Sequence, residues 1–175
     1  MHFTTTYRSP LGDILLAGTD THLTGLWFMD QKYVKATLPS DTIHLRNSSK
    51  LPTSLCDSIR WLDIYFSGIN PDFMPALQPS GTVFQMEVWE ILKSIPYGNT
   101  TTYGNIASLL AKQRGIISMS AQAVGNAVGR NPISIIIPCH RVIGANGTLT
   151  GYAGGTDKKL ALLKLENVNI ALTKA

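Results

Sequence analysis

The chain is poor in cysteine, in charge and in long apolar runs, and each shortage excludes something. Cys56 and Cys139 are the only cysteines among 175 residues. Two thiols cannot build the disulfide framework of a small secreted domain, and they fall short of a structural zinc site unless histidines complete it. A reducing cytoplasm is the compartment expected. No apolar run approaches the roughly 18 residues of a membrane span. Met1-His2-Phe3-Thr4 is not the basic-then-apolar start of a signal peptide. No membrane partner is therefore expected. No internal repeat, low-complexity tract, cofactor motif or metal motif is present, so no cofactor and no metal are expected. With 44% hydrophobic and 15% charged residues, the composition is that of a packed globular chain. Its length suits one ordinary domain or two small ones, at roughly 100–200 residues per domain.

Charge is unevenly spread. Residues 1–80 carry six Lys/Arg against seven Asp/Glu, a net of −1, whereas residues 81–175 carry nine against four, a net of +5. A basic C-terminal half is what a nucleic-acid-binding domain shows, and also what an ordinary basic surface shows.

The first third alternates and turns. Phe3–Tyr7, Asp13–Ala17 and Leu23–Phe28 read as three strands of an antiparallel meander, separated by Ser9-Pro10-Leu11-Gly12 and Gly18–Thr21. Residues 37–53 are polar and give no assignment. Leu55, Ile59, Leu62 and Phe66 recur at helical spacing, with Ser54 as the cap and Gly68 as the stop. Cys56 beside that stripe reads as a buried small hydrophobe. Gly68–Gly81, with Pro71, Pro75 and Pro79, reads as a stiffened linker, and the domain boundary is placed there.

Helices follow. Thr82-Val83-Phe84-Gln85 matches a capping box, and Phe84, Val88, Ile91, Leu92 and Ile95 form an inward stripe. Thr101 or Thr102 caps a second helix with Ile106, Leu109 and Leu110 inward. Ser120 caps a third that runs to about Arg130, with Val124 and Val128 on one face. The last two suggest a helix-turn-helix. The third helix is rich in small residues (Ala121, Ala123, Gly125, Ala127, Gly129), which serves close helix packing or close approach to something bulky. Ser134–Ile137 reads as a buried strand, 144–155 as a glycine-rich loop or hairpin, and Thr156 or Asp157 opens a final helix through about Glu166 with Leu160 and Leu163 inward.

The chemistry is expected at Pro138-Cys139-His140-Arg141. A thiol with pKa of about 8.5 is mostly protonated at neutral pH, and a neighbouring base raises the nucleophilic thiolate fraction. Residues i and i+1 do not face each other on a helix or a strand, so His140 is expected to reach Cys139 through a water. A carboxylate would hold the other side of the imidazole, and Glu166 and Glu87 are the candidates. An inert Cys and a solvated His remain the alternative from these four residues alone.

Ile136-Ile137-Pro138-Cys139-His140-Arg141-Val142-Ile143 resembles the active-site signature of the O6-alkylguanine-DNA alkyltransferases, the methylated-DNA–protein-cysteine methyltransferases. Phe84-Gln85, Tyr103-Gly104, Ala123-Val124-Gly125, Asn131-Pro132, Gly151-Tyr152-Ala153-Gly154-Gly155 and Leu165-Glu166 extend the resemblance over residues 82–168. It implies an α/β (α+β) protein. An N-terminal antiparallel-sheet-plus-helix domain, ribonuclease H-like, would span 1–80 with its linker from about 68. A C-terminal winged helix-turn-helix-like domain would span 81–175. A monomer is expected.

The resemblance also implies the reaction. An alkyl group passes irreversibly from O6-alkylguanine in double-stranded DNA, with O4-alkylthymine as a second candidate substrate, to the protein's own cysteine. The transfer occurs once per molecule, after the base is flipped out of the duplex. By the same likeness Cys139 is the nucleophile, His140 the water-mediated base, Glu166 its orienting carboxylate and Asn131 the support of the active-site turn. Tyr103 would donate to a guanine ring nitrogen and the Val142 carbonyl would accept from the exocyclic amine. Tyr152 and Ala153 would line the pocket, with the Ala153 N–H near O6. The third helix would enter the minor groove, bringing Ser120, Ala121, Gln122, Ala123 and Gly125 to the DNA, with Arg130 as a phosphate contact.

Two positions depart from the family pattern. Gln122 stands where an arginine usually fills the gap left by the flipped nucleotide, which implies weaker or slower flipping. Ala153 stands where some relatives have serine, which implies a less polar, roomier pocket. The alternatives are a non-catalytic sensor of alkylated bases, which Cys139 argues against, and a Cys-His hydrolase, which lacks an oxyanion motif and a direct dyad geometry.

Overall fold

A computed structural model describes residues 1–46 and 50–169. Residues 47–49, inside the polar 37–53 stretch, and residues 170–175, at the end of the expected second domain, lie outside the described residues. The chain divides into two compact units: Met1–Ser80 with Pro132–Ser134, and Gly81–Asn131 with the chain from Ile135 onward.

In the first unit, strands β1 (Phe3–Ser9), β2 (Gly12–Gly18) and β3 (Leu23–Phe28) form the antiparallel meander that the turn residues predict. β1 pairs with β2 from Phe3 opposite Gly18 to Ser9 opposite Gly12. A two-residue strand, β4 (Ile43–His44), adds parallel to β1, giving the sheet order β3-β2-β1-β4. Ile14, Leu16, Leu26 and Phe28 are buried, as are Leu15, Ala17 and Trp27, so β2 and β3 are covered on both faces. Gly25 makes room for Trp27, because a Cβ there would fall 1.9 Å from the indole.

The outer edge of β3 is capped by two short segments of the same unit, which removes an open strand edge. Leu23 N donates to Ala76 O and Gln78 N to Leu23 O, both at 2.8 Å; Leu26 N donates to Pro132 O at 2.8 Å and Ser134 N to Leu26 O at 2.9 Å. The proline-rich stretch expected to be a linker is thus hydrogen-bonded to the sheet at residues 76 and 78.

Helix α1 (Thr53–Phe66) starts two residues early, with Pro52 rather than Ser54 at the cap. Ser54 instead sits inside the helix and donates to Thr19 O. The buried face is Ser54, Leu55, Ser58, Trp61, Leu62 and Tyr65. Ile59 and Phe66 lie at its margin, and Cys56 is exposed rather than buried. The two buried serines rotate the true face away from the purely apolar stripe.

In the second unit, helices α2 (Val83–Lys93), α3 (Tyr103–Arg114) and α4 (Ala121–Gly129) pack together. All three start where the capping residues predict. Thr82 and Gln85 form the full capping box, Thr102 accepts from Asn105 N, and Ser120 accepts from Ala123 N. Trp89 fills the centre and donates from Nε1 to Ala127 O at 2.9 Å. Phe84 is only half-buried and Leu109 is exposed, contrary to their expected inward place; Ala107 and Ala111 take the buried face of α3. Gly115 ends α3 in the left-handed conformation, φ 65°, which glycine adopts without strain.

Residues 134–137 are buried but do not form the expected strand. They make an irregular turn with Ile135 at φ 69°, an outlier for a β-branched residue. A single 3-10 turn, Cys139–Arg141, leads into β6 (Val142–Ile143), which pairs parallel with β5 (Thr101–Thr102). Helix α5 (Thr156–Leu165) closes the unit. Its buried residues are Lys159, Leu162 and Leu163, while Leu160 is half-buried. Among the described residues no helix is long and apolar enough to cross a membrane.

Candidate active site

The 3-10 turn places Cys139, His140 and Arg141 in the interior of the second unit, behind Pro138. Pro138 lacks an N–H and carries no donor to satisfy at the start of the turn. Asn131, just past α4, holds the approach to this turn: its Nδ2 donates to Ile137 O at 2.8 Å. Burial pushes the Cys139 thiol up from its ordinary value. A hydrogen bond from the Asn131 side chain, the Lys159 charge and the backbone N–H groups of Cys139 and His140 pull it the other way.

Behind the cysteine lies a buried polar cluster. His140 Nε2 is 2.6 Å from Glu166 Oε1, with neither side chain exposed. Arg141 clamps the same carboxylate, Nε to Oε2 at 2.8 Å and Nη2 to Oε1 at 3.1 Å, while Nη1 donates to Ile95 O at 2.6 Å. Gly98 N also donates to Glu166 Oε2, at 3.1 Å. Burial opposes ionisation of Glu166, but hydrogen bonds from His140 and Arg141 and the Arg141 charge, joined by that of His140 once it protonates at acid pH, outweigh it and hold the carboxyl at about 2. Burial lowers His140 below its ordinary range, against the pull of Glu166. At neutral pH the cluster is therefore an Arg141–Glu166 ion pair with a neutral imidazole. The carboxylate accepts, so the imidazole carries its proton on Nε2 and presents Nδ1 as a base. Glu87, the other carboxylate considered for this role, pairs instead with Arg114, whose Nε and Nη2 donate to its Oε2 at 2.9 and 2.6 Å.

A second cluster adjoins the cysteine. Lys159 of α5 is fully buried and donates from Nζ to Val142 O at 2.5 Å and to Thr150 O at 2.9 Å. Burial pulls its pKa down to about 8, against the opposing influence of Cys139. Tyr103, the first residue of α3, donates from its hydroxyl to the same Thr150 O at 2.9 Å. Burial, with Cys139 nearby, pushes this phenol up to about 12, so it stays a donor. Gly151 allows the contact: it sits at φ 78°, and a Cβ there would lie 2.7 Å from Tyr103 Oη. Thr150 O thus ties the 144–155 loop to α3 and α5.

Cys139, His140, Glu166, Asn131, Tyr103 and Val142 all belong to these two adjoining clusters. Tyr152 and Ala153 lie in the same loop as Thr150 and are half-buried. On α4, Ala121 and Gln122 are exposed and Ala123 is half-buried. Gly125 is half-buried and lies against the Tyr103 ring, where an added Cβ would make an ordinary contact of 3.6 Å with Cδ1. Arg130 lies at the C-terminal cap of α4.

Arg141 and Lys159 were not anticipated as site residues. The signal for Lys159 was present: with Leu162, Leu163 and Glu166 it follows the i, i+3, i+4, i+7 spacing of one helix face. A lysine on a buried stripe must find acceptors inside. Among the described residues no group of three or more His, Cys, Asp or Glu could hold a metal ion.

Fold and site together define a two-unit protein that buries a single nucleophile-type cysteine against a hydrogen-bonded His–Glu–Arg cluster. The chain belongs to the 6-O-methylguanine DNA methyltransferase family: the DNA-binding domain of that family matches residues 83–168 and its ribonuclease-like domain matches residues 2–77. The methylated-DNA–protein-cysteine methyltransferase of Methanosarcina acetivorans is 46% identical over 160 residues, covering 91% of this chain and 95% of the relative. That of Mycolicibacterium paratuberculosis is 44% identical over 161 residues, covering 92% and 90%. Among solved structures, the Mycobacterium tuberculosis O6-methylguanine methyltransferase matches with a TM-score of 0.79 at 40% identity, covering 99% of this chain and 97% of that one. Mycobacterium tuberculosis OGT in complex with DNA matches with a TM-score of 0.77 at 42% identity, covering 94% and 92%.

Proposed function

We propose that the protein repairs O6-alkylguanine in double-stranded DNA by moving the alkyl group onto Cys139, once per molecule. The observation that carries this reading is the buried Cys139 next to a neutral, Glu166-oriented His140 in a chain of this family.

The thiol proton passes through one water to His140 Nδ1, and Glu166 stabilises the imidazolium that forms. Arg141 keeps Glu166 ionised. The Cys139 sulfur then attacks the alkyl carbon. A C–S bond forms, the C–O6 bond breaks, and its electron pair stays on the guanine. Tyr103 donates to the ring nitrogen that gains charge, and the Ala153 N–H stabilises O6. The imidazolium proton returns through solvent to the guanine anion, which restores neutral base and neutral His140. The product is a thioether that has no leaving group for hydrolysis, so the cysteine is consumed.

Two groups assigned to the base already have partners. Val142 O accepts from Lys159 Nζ and retains a second lone pair for the exocyclic amine. Tyr103 has one hydroxyl proton, now given to Thr150 O, so it must exchange that acceptor for the guanine. Helix α4 is assigned to the minor groove with Ser120, Ala121, Gln122, Ala123 and Gly125. Arg130 is assigned to a phosphate, and an O4-alkylthymine substrate and a monomeric state are part of the same reading. Ala153 in place of serine leaves space for larger alkyl groups, and Ala153→Ser is expected to narrow the range of groups transferred.

The test is Cys139→Ser. It is expected to abolish alkyl transfer from O6-methylguanine duplex while keeping lesion binding. Transfer retained in Cys139→Ser contradicts the assignment.

A further inference from the structure

The connection from α3 to α4 ends in an apolar tip. Gly115 turns the chain out of α3, and Ile116 and Ile117 follow at 46% and 103% relative exposure. Scattered exposed apolar residues are common and need no explanation. Two adjacent isoleucines on the lead-in to a helix assigned to DNA are a different case, because three further features converge on them.

The first is reach. Ile117 precedes the Ser120 cap of α4 by three residues, which places it within about 11 Å of the helix start. At about 3.4 Å per base step along a strand, that is a span of about three base pairs. The second is charge. Residues 91–156 contain no Asp or Glu. Lys93, Arg114 and Arg141 within them pair with Glu90, Glu87 and Glu166 from outside the stretch, and Lys112 and Arg130 are exposed cations on either side of the tip and α4. The tip therefore lies in an acid-free stretch, four residues after the exposed Lys112. The third is shape. A groove of about 440 Å3 runs beside the tip, lined by Gly104, Ala107, Ala111, Lys112, Ile116 and Ala121 among others. Small residues leave its floor open, and Lys112 supplies a cation for a phosphate at its wall. A membrane surface or a second copy of the chain would also accept two isoleucines, but neither explains an acid-free stretch and a lysine-edged groove together.

We propose that Ile116 and Ile117 form an apolar wedge that inserts between base steps in the minor groove beside the lesion and lowers the work of unstacking the target base. The wedge rests on the repair reading above and adds a contact to it. Isoleucine side chains serve in this way in architectural DNA-binding proteins, where they partly unstack a step and kink the duplex. Gln122, the second residue of α4, brings no charge to the same task, so unstacking is shared with the tip.

The experiment uses the whole protein and duplexes that carry O6-methylguanine with 2-aminopurine one to three base pairs away. 2-Aminopurine brightens when its stack opens. Wild type is expected to raise the fluorescence, and the Ile116→Ser/Ile117→Ser variant to lose most of that rise. The variant's single-turnover rate on duplex, divided by its rate on the free base O6-methylguanine, is expected to fall about tenfold, because the free base needs no unstacking. Ile117→Ser alone changes a fully exposed side chain, so it keeps the thermal midpoint and shows a smaller loss in the same direction. Ile117→Met is expected to keep the wild-type signal, since methionine also serves as a wedge.

An unchanged fluorescence rise and rate ratio in the double variant overturn the wedge. So does an unchanged ratio together with lost self-association in sedimentation, which assigns the tip to a second copy. The fluorescence reads the wedge whether or not transfer occurs. Wild type that brightens the duplex yet alkylates Cys139 from neither substrate overturns the repair reading alone.

Discussion

Arg141 holds both oxygens of Glu166 in a two-pronged ion pair, with contacts of 2.8 and 3.1 Å, and the same carboxylate orients His140 at 2.6 Å. The positive charge in the cluster thereby sits on the guanidinium and not on the imidazole. His140 is left neutral as a base, and Glu166 is left charged to stabilise it once protonated.

Glu166→Gln tests this arrangement. It leaves Arg141 buried without its counter-charge, and breaking a buried pair in this way costs about 3–5 kcal/mol. A lower thermal midpoint and a lower transfer rate are both expected. The wild type also carries an acid signature. Glu166 ionises at about 2 when folded against an ordinary value of 4.5. Its contribution, roughly 3 kcal/mol, is fully present above about pH 4.5 and is lost as pH falls toward 2. Thermal melts from pH 6 to 3 are expected to fall more steeply for wild type than for Glu166→Gln. Parallel curves contradict the assignment.

The rate of transfer has its own pH profile. Burial lowers His140 below 6.5 and raises the Cys139 thiol above 9. Between these limits the reactive pair is a neutral thiol and a neutral imidazole, whose populations do not change with pH. Single-turnover rates are therefore expected to be flat around neutrality, to fall below pH 6.5 as His140 protonates, to dip modestly near pH 8 as Lys159 loses the charge that favours the thiolate, and to rise only above pH 9. A rise of about tenfold per pH unit between 7 and 8.5 is the mark of a thiolate formed without the imidazole, and it contradicts the relay.

Gly151→Ala probes the loop. Its φ of 78° disfavours a side chain, and the new Cβ would lie 2.7 Å from Tyr103 Oη. A loss of about 1–2 kcal/mol from backbone strain is expected, with slower transfer because the Tyr103–Thr150 contact is displaced. Removing the hydroxyl first with Tyr103→Phe relieves the clash but not the strain. The two substitutions are thus expected to be non-additive in a double-mutant cycle of thermal stabilities. Strict additivity contradicts the contact.

Gln122 is exposed on the first turn of α4. Gln122→Arg adds a planar cation able to stack and to pair with an orphaned base. Faster transfer from duplex O6-methylguanine is expected, with the rate on the free base unchanged. Equal duplex rates and affinities in the two proteins contradict a flipping deficit at this position.

Much of this architecture was readable from turn and capping residues. Ser9-Pro10-Leu11-Gly12 marked the β1–β2 turn, and Thr82, the Thr101-Thr102 pair and Ser120 marked three helix starts, because such side chains satisfy backbone N–H groups locally, as Thr82, Thr102 and Ser120 do. Features set by distant partners were not readable. Residues 134–137 have a strand's composition, but Ile135 takes a left-handed φ that no hydrophobic pattern encodes. Cys56 sits beside apolar residues in sequence yet faces solvent, since the buried face of α1 includes Ser54 and Ser58. Arg141 and Lys159 are buried because Ile95, Val142, Thr150 and Glu166 bring acceptors to them from other segments. The Cys139–His140 pair itself was legible, including the need for a third group to orient the imidazole; which carboxylate does so was narrowed by the family resemblance and not by spacing.

The most direct measurement is intact mass followed by peptide mapping after the protein is mixed with duplex DNA carrying O6-methylguanine. The account predicts one added methyl on the Cys139 peptide, saturating at one per protein however much lesion is supplied. Methylation elsewhere, an unmodified Cys139 after the lesion is consumed, or repair that continues beyond one lesion per protein would contradict it.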